Sequence, residues 1–285
     1  MTIEEARRKV SNSIRQIYDE DESANIAELV IENITRLSKT AQITKKQQEI
    51  SQLQFESLNQ CINRLRNHEP VQYILGEAWF ADMRFYVDKT VLIPRTETEE
   101  LVHWISQSLK TKSPTTKMLD VGTGSGCIAI ALKKITPSAE VWACDISDEA
   151  LTTARLNADT LHATVDFVEI DFLNASQWAQ LSGFDVIVSN PPYIPQIERK
   201  EMKRNVIDFE PAPALFVPQN DPLIFYNAIA DFGRERLNEN GEIYVEIHES
   251  LGEKVVNLFQ SKGYCSIELR KDLQGKDRMV RIKLY

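Results

Sequence analysis

The spacing of apolar residues changes character along the chain. Up to about residue 75 they recur at threes and fours: Ala6, Val10, Ile14 and Ile17, then Ala27, Val30 and Ile34, then Phe55, Leu58, Ile62 and Leu65. That period gives each of several helices an apolar stripe, and the stripes must pack on one another to leave water. No glycine interrupts the chain before Gly76, so residues 1–75 read as a small helical bundle that ends near HEPVQYILGE, where Pro70 and Gly76 punctuate it. From Trp79 to Ile93, aromatic and β-branched residues surround Asp82 and Asp88-Lys89, the pattern of a hairpin joining two domains over residues 76–94.

The segment RTETEELVHWISQSL predicts an amphipathic helix, and after it short apolar strands alternate with helical stretches through residues 95–285. Predicted strands are MLDVG (118–122), EVWACD (140–145), TVDFVEID, FDVIVSN, GEIYVEI, and a closing pair, YCSIELR and RMVRIKLY. Predicted helices run from Cys127 to Lys134, through Ala154, around Ile224 to Leu237, and from Glu253 to Gln260. Such alternation implies α/β architecture: a doubly wound, mostly parallel sheet with helices on both faces and an antiparallel return at its end.

Composition bounds the rest. At 285 residues and 42% apolar, the chain suits one large α/β domain and a smaller one. The net charge of −9 is spread along it, which favours solubility and disfavours non-specific grip on a nucleic-acid backbone. Cys61, Cys127, Cys144 and Cys265 form no C-x-x-C pair and have no histidines at metal spacing, so reduced thiols and no metal are expected. MTIEEARRKV lacks the apolar core of a signal peptide, and no run approaches the roughly 20 apolar residues of a membrane span. A cytoplasmic monomer is expected.

The first chemistry lies in Asp120-Val121-Gly122-Thr123-Gly124-Ser125-Gly126, which follows the first strand of the alternation and opens a helix. A doubly wound sheet holds its ligand there, and glycines let the backbone turn and a ligand approach. An ordinary strand-to-helix turn is the competing reading. The dinucleotide fingerprint fails because the third glycine comes one residue early, and the Walker and nucleophile-elbow patterns fail as well. Asp145, ending the second strand, is placed to accept both hydroxyls of a ribose, with Ser147 the better cap for the helix that follows. Phe172, ending the third strand, serves either as a ligand contact or as core.

FDVIVSN ends abruptly in Asn190-Pro191-Pro192-Tyr193. Each proline removes a ladder donor, so one would suffice as a terminator. Two leave nearby carbonyls unclaimed by strand pairing, and Asn190 adds a side-chain carbonyl. Fixed acceptors of this kind can hold both hydrogens of a planar NH2 group and turn its lone pair toward an electrophilic methyl, with no strong base required. Tyr193 would pack on the flat target.

With PVQYILGE, LIPRTETEELV, DVGTGSG, NPPY, FEPAPAL and KDLQGKDR, essentially the whole sequence resembles the peptide chain release factor N5-glutamine methyltransferases, the PrmC or HemK family. The resemblance implies the class I, Rossmann-like methyltransferase fold with a seven-stranded sheet. It implies that residues 1–75 recognise a class 1 release factor, with no stable nucleic-acid partner and no membrane. It implies that S-adenosyl-L-methionine, leaving as S-adenosyl-L-homocysteine, binds Gly122, Thr123, Gly124, Ser125, Gly126, Asp145, Phe172 and Asn190. The glutamine of the Gly-Gly-Gln loop is then expected against Asn190, Pro191, Pro192 and Tyr193, which carry both substrate binding and catalysis. Arg95, Thr98 and Glu99 close the pocket or simply start a helix at Thr96, and Glu210-Pro211 with Asp272 to Arg278 read as scaffold. At VEIHES the chain departs from the family pattern, since His248 stands at a position often small; it is not assigned as a base. The alternatives are a ribosomal-protein glutamine methyltransferase, an amino-methyltransferase for DNA or RNA, and a non-catalytic binding protein that kept the fold.

Overall fold

The computed structural model describes residues 1–109 and 115–284. Tyr285, the last residue of the final predicted strand, and residues 110–114 lie outside the described residues. The chain forms two compact units: Met1–Glu77 together with Lys203–Phe209, and Ala78–Met202 together with the chain from Glu210 onward. Whereas the sequence places a separate linker at 76–94, the hairpin groups with the second unit.

In the first unit, α1 (Ile3–Ile14), α2 (Glu20–Thr35), α3 (Lys39–Thr44), α4 (Gln52–Arg66) and α5 (Val71–Leu75) bury the stripes of Ala6, Val10, Ile14, Ala27, Val30, Leu58 and Leu65 against one another. Helix starts are built in. Thr2 and Glu5 form a capping box at α1 and Ser51 and Gln54 another at α4, each worth about 1 kcal/mol. Later chain joins this unit through α9 (Arg204–Ile207), and Lys203 Nζ lies 3.8 Å from Glu22 Oε2.

The second unit opens with a hairpin, β1 (Ala78–Phe80) and β2 (Met83–Phe85). Its two turn residues, Ala81 and Asp82, take positive φ values of 49° and 60°, the twist a two-residue hairpin requires. Glu99 Oε1 accepts a hydrogen bond from Ala81 N at 3.1 Å, which supports that turn. The main sheet contains β3 (Lys117–Val121), β4 (Glu140–Asp145), β5 (Asp166–Glu169), β6 (Phe184–Ser189), β9 (Leu237–Glu246), β10 (Ser266–Lys271) and β11 (Asp277–Lys283), in the order β10-β11-β9-β6-β3-β4-β5. A small parallel pair, β7 (Ile194–Pro195) and β8 (Phe216–Val217), follows the NPPY stretch. Successive residues on the central strands face opposite sides: Met118, Val186 and Tyr244 join α6 (Thr96–Leu109), α7 (Cys127–Ile135) and α8 (Asp148–Thr160), while Leu119, Ile187 and Ile243 join α11 (Ile224–Arg236) and α12 (Gly252–Ser261). Both faces are covered, which is why these strands read as continuous apolar runs. The short α10 (Ala212–Leu215) precedes β8.

Strand order fixes where a ligand can sit. The chain lays β3, β4 and β5 outward in sequence, then returns to place β6 on the other side of β3. Connections leaving β3 and β6 therefore diverge, and the crevice at their carboxyl ends is the binding place of an open α/β sheet. Among the described residues, no helix is long and apolar enough to cross a membrane.

Candidate active site

Register brings the predicted residues to one edge. Val121 of β3 pairs with Cys144 of β4 and with Ser189 of β6, and Ser189 pairs with Val245 of β9. Gly122, Asp145, Asn190 and Glu246 are each the next residue, so all four stand at the carboxyl ends of adjacent strands.

The glycine loop is held by backbone. Gly122 N and Thr123 N both donate to Cys144 O, at 2.9 and 3.0 Å. Gly126, with φ +82°, opens α7 where a Cβ would come within 3.0 Å of Ile130 Cδ1 and 3.2 Å of Ala154 Cβ, so a side chain here would be strained in its backbone and would crowd the contact of α7 with α8. Beneath the loop, buried Asp120 accepts from Thr123 Oγ1 at 2.6 Å and Ala129 N at 3.2 Å through one oxygen. Burial pushes its carboxyl up to about 7, against the pull of those two donors.

Asp145 accepts from Gly124 N at 2.9 Å on one oxygen and from Ser147 N at 3.0 Å on the other. Each oxygen keeps a second lone pair, so a vicinal diol could be taken bidentately. Burial raises the Asp145 carboxyl above its ordinary value while these N–H donors lower it. Ser147 Oγ caps α8 by accepting from Ala150 N at 3.1 Å. Phe172 lies with its ring in the core, its centroid 5.6 Å from that of Trp178 and 5.1 Å from that of Phe232, while Trp178 Nε1 donates to its carbonyl at 3.0 Å. Sequence reasoning passed over its exposed neighbour Leu173 and the exposed Ile146 beside Asp145.

The Asn190 side assembles from distant parts of the chain. Pairing of β6 on both sides stops at Ser189, as two residues without N–H groups require. Asn190 Nδ2 donates to Thr98 Oγ1 at 3.0 Å, Thr98 Oγ1 donates to Glu246 Oε2 at 2.7 Å, and the Tyr193 hydroxyl donates to Glu246 Oε1 at 3.1 Å. Glu246 is 1% exposed; burial pushes it up to about 6, against the lowering pull of Thr98, Tyr193 and the charge of Arg278. Sequence reasoning missed Glu246. The sequence shows only an acid following the apolar run Ile243-Tyr244-Val245, a pattern shared by acids that emerge into solvent at a strand end.

Other predicted residues separate by role. Thr98 enters the network, but Glu99 serves the hairpin turn. Arg95 Nη2 pairs with buried Glu210 Oε1 at 2.5 Å, and Glu210 Oε2 accepts from Ile93 N at 3.2 Å, so Glu210 anchors the segment before α6. Asp272 organises the β10–β11 turn, accepting from Gln274 N and Lys276 N, and from Arg278 Nε at 3.2 Å. His248 has both ring nitrogens engaged, Nε2 with Glu198 at 3.2 Å and Nδ1 with Ser250 Oγ at 2.8 Å.

The edge fits S-adenosyl-L-methionine on its geometry. A Cβ built at Gly122 or Gly124 meets nothing within 4 Å, so the loop offers open backbone to a ligand, and a two-oxygen acceptor for a ribose stands one strand away at Asp145.

Known proteins bear on the same residues. The PrmC N-terminal domain family matches residues 5–76 and the methyltransferase small domain family matches residues 100–210. The release factor glutamine methyltransferase of Flavobacterium psychrophilum is 39% identical over 99% of this chain and 99% of its own, and that of Bacteroides thetaiotaomicron is 41% identical over 95% and 96%. Among solved structures, the hMettl16 catalytic domain shares the fold, with a TM-score of 0.55 and 13% identity over 82% of this chain and 83% of that one. With likeness running through both units and across the glycine loop and NPPY edge, the chain belongs to the release factor glutamine methyltransferase family.

Proposed function

We propose that this protein transfers a methyl group from S-adenosyl-L-methionine to the side-chain amide nitrogen, N5, of the glutamine in the Gly-Gly-Gln motif of class 1 release factors. S-adenosyl-L-homocysteine is the second product. The observation that carries the reading is the state of Asn190: its NH2 is spent on Thr98, and no hydrogen bond among the described residues holds its Oδ1 at the switch-point edge. Full-length likeness to release factor glutamine methyltransferases supports the choice of substrate.

In this reading Gly122 to Gly126 approach the donor with bare backbone, Asp145 takes its ribose hydroxyls, and Asn190 borders it, with Phe172 backing the wall from the core. When bound, S-adenosyl-L-methionine supplies an electrophilic methyl on a sulfonium. Asn190 Oδ1, with a carbonyl freed by Pro191 and Pro192, holds the hydrogens of the glutamine NH2 and directs its lone pair. Tyr193, tethered through its hydroxyl, keeps its ring in place as a wall for the flat amide. An amide nitrogen becomes acidic only once alkylated, so positioned acceptors suffice and neither His248 nor a metal is assigned a role. The helical unit is read as the part that recognises the release factor, supported by its match to the PrmC N-terminal domain family.

The test is peptide mass mapping of a purified release factor incubated with enzyme and S-adenosyl-L-methionine. One added methyl on the Gly-Gly-Gln glutamine is expected. Transfer to a ribosomal protein or a nucleic acid, with the glutamine unchanged, would refute the assignment.

A further inference from the structure

Three side chains from three elements form one hydrogen-bonded line beside the proposed acceptor slot. Glu246 ends β9, Thr98 lies in the first turn of α6, and Asn190 follows β6; Thr98 Oγ1 is 2.7 Å from Glu246 Oε2 and 3.0 Å from Asn190 Nδ2. An ionised carboxylate only accepts, so the single hydroxyl proton of Thr98 goes to Glu246. The Thr98 oxygen is left as an acceptor, and only the NH2 end of the Asn190 amide can satisfy it.

We infer that Glu246, acting through Thr98, is a positioning residue that decides which end of the Asn190 amide meets the substrate. The inference rests on the methyl-transfer reading above and deepens it. With Oδ1 outward, Asn190 accepts from a glutamine NH2; with Nδ2 outward, donor would face donor and the acceptor would be repelled. The same carboxylate holds Tyr193 through its other oxygen at 3.1 Å, so one buried charge sets two side chains of the slot.

Protonation removes the direction. A neutral Glu246 can donate to Thr98, whose hydroxyl is then free to donate to Asn190 Oδ1 and turn the amide over. Burial lifts Glu246 to about 6, which brings this event into accessible pH. The groups facing it are Tyr193 from the segment after β6, Arg278 from β11, Glu97 from α6, and Tyr226 from α11, whose hydroxyl donates to the Glu246 carbonyl at 3.0 Å. Arg278 lowers the Glu246 value and Glu97 raises it, while burial holds both tyrosines above the ordinary tyrosine value, so neither titrates alongside it. Turnover therefore falls as pH drops through about 6.

The experiment pairs kinetics with a signal that needs no turnover, the side-chain NH2 resonance of Asn190 in 15N-labelled protein, assigned by its loss in Asn190→Ala. In wild type, kcat and this resonance titrate together near pH 6; in Glu246→Gln neither responds, because a glutamine has no charge to lose. Thr98→Val lowers kcat by on the order of 10- to 100-fold, with cofactor affinity within about twofold, and Thr98→Ser restores most of it. Wild-type turnover in Thr98→Val, a Thr98→Ser variant as slow as the valine, or an Asn190 resonance flat from about pH 5 to about 8 overturns the proposal. Should Thr98→Val not fold, the serine variant, Glu246→Gln and the resonance decide it. Failure of the function reading is separate: the wild-type enzyme would leave the Gly-Gly-Gln peptide unmethylated, while the resonance would still report the relay.

Discussion

The two sides of the crevice are made of different material. On the glycine-loop side, backbone does the holding: Gly122 N and Thr123 N bind Cys144 O, while Gly124 N and Ser147 N bind Asp145. On the Asn190 side the chain reaches across itself with side chains, Thr98 to Glu246, Asn190 to Thr98, and Tyr193 to Glu246. Backbone amides do not titrate or rotate, so the donors of the first side keep their direction at any pH, and only its acceptors, Asp145 and the Asp120 beneath the loop, carry titratable groups. Hydroxyl, amide and carboxyl groups can reverse their polarity, so the second has direction, which suits chemistry and can be lost.

That contrast can be broken by substitution. The largest effect is expected for Asn190→Ala, which should cut turnover by about 100- to 1,000-fold while S-adenosyl-L-methionine affinity stays within about twofold, read by single-turnover kinetics and calorimetry. Equal loss of both would merge the two sides into one. Asp145→Ala should do the converse, weakening cofactor binding about 10- to 100-fold, the value of hydrogen bonds to a charged group, with kcat at saturating cofactor nearly kept. A kcat loss as large as the affinity loss would contradict the division. Gly126→Ala should have the smallest consequence, about 1–3 kcal/mol of stability, because an alanine at φ +82° is strained and its Cβ crowds Ile130 and Ala154. Thermal melting would show it as a Tm lower by several degrees, and an unchanged Tm would mean that α7 and α8 adjust without cost.

The same difference explains what could be read from sequence. The glycine loop, Asp145 and the Ser147 cap lie within one β-α-β stretch, so strand, turn and cap signals fall in a single window and the reading needed only local rules. Glu246 could not be found that way. Its partner Thr98 is 148 positions away, and nothing in GEIYVEI distinguishes an acid that is buried from one that emerges at a strand end. The hairpin turn was legible by its flanks alone, because Ala81-Asp82 adopts left-handed backbone without a glycine and leans on Glu99 to do so. Phe172 was ambiguous between ligand contact and core; its ring packs with Trp178 and Phe232. The seven-residue excursion of Lys203–Phe209 into the first unit carried no signal, since nothing in KRNVIDF marks it off from the polar QIERKEM that precedes it.

That excursion sets a timetable for synthesis. The helical unit is translated first, yet its α9 piece, with half-buried Val206, Ile207 and Phe209, leaves the ribosome roughly 130 residues later, on the order of 10 s of elongation. Until then the helical unit lacks the segment that groups with it, including the partner of Glu22 at Lys203, and a fragment ending at residue 77 would never acquire it.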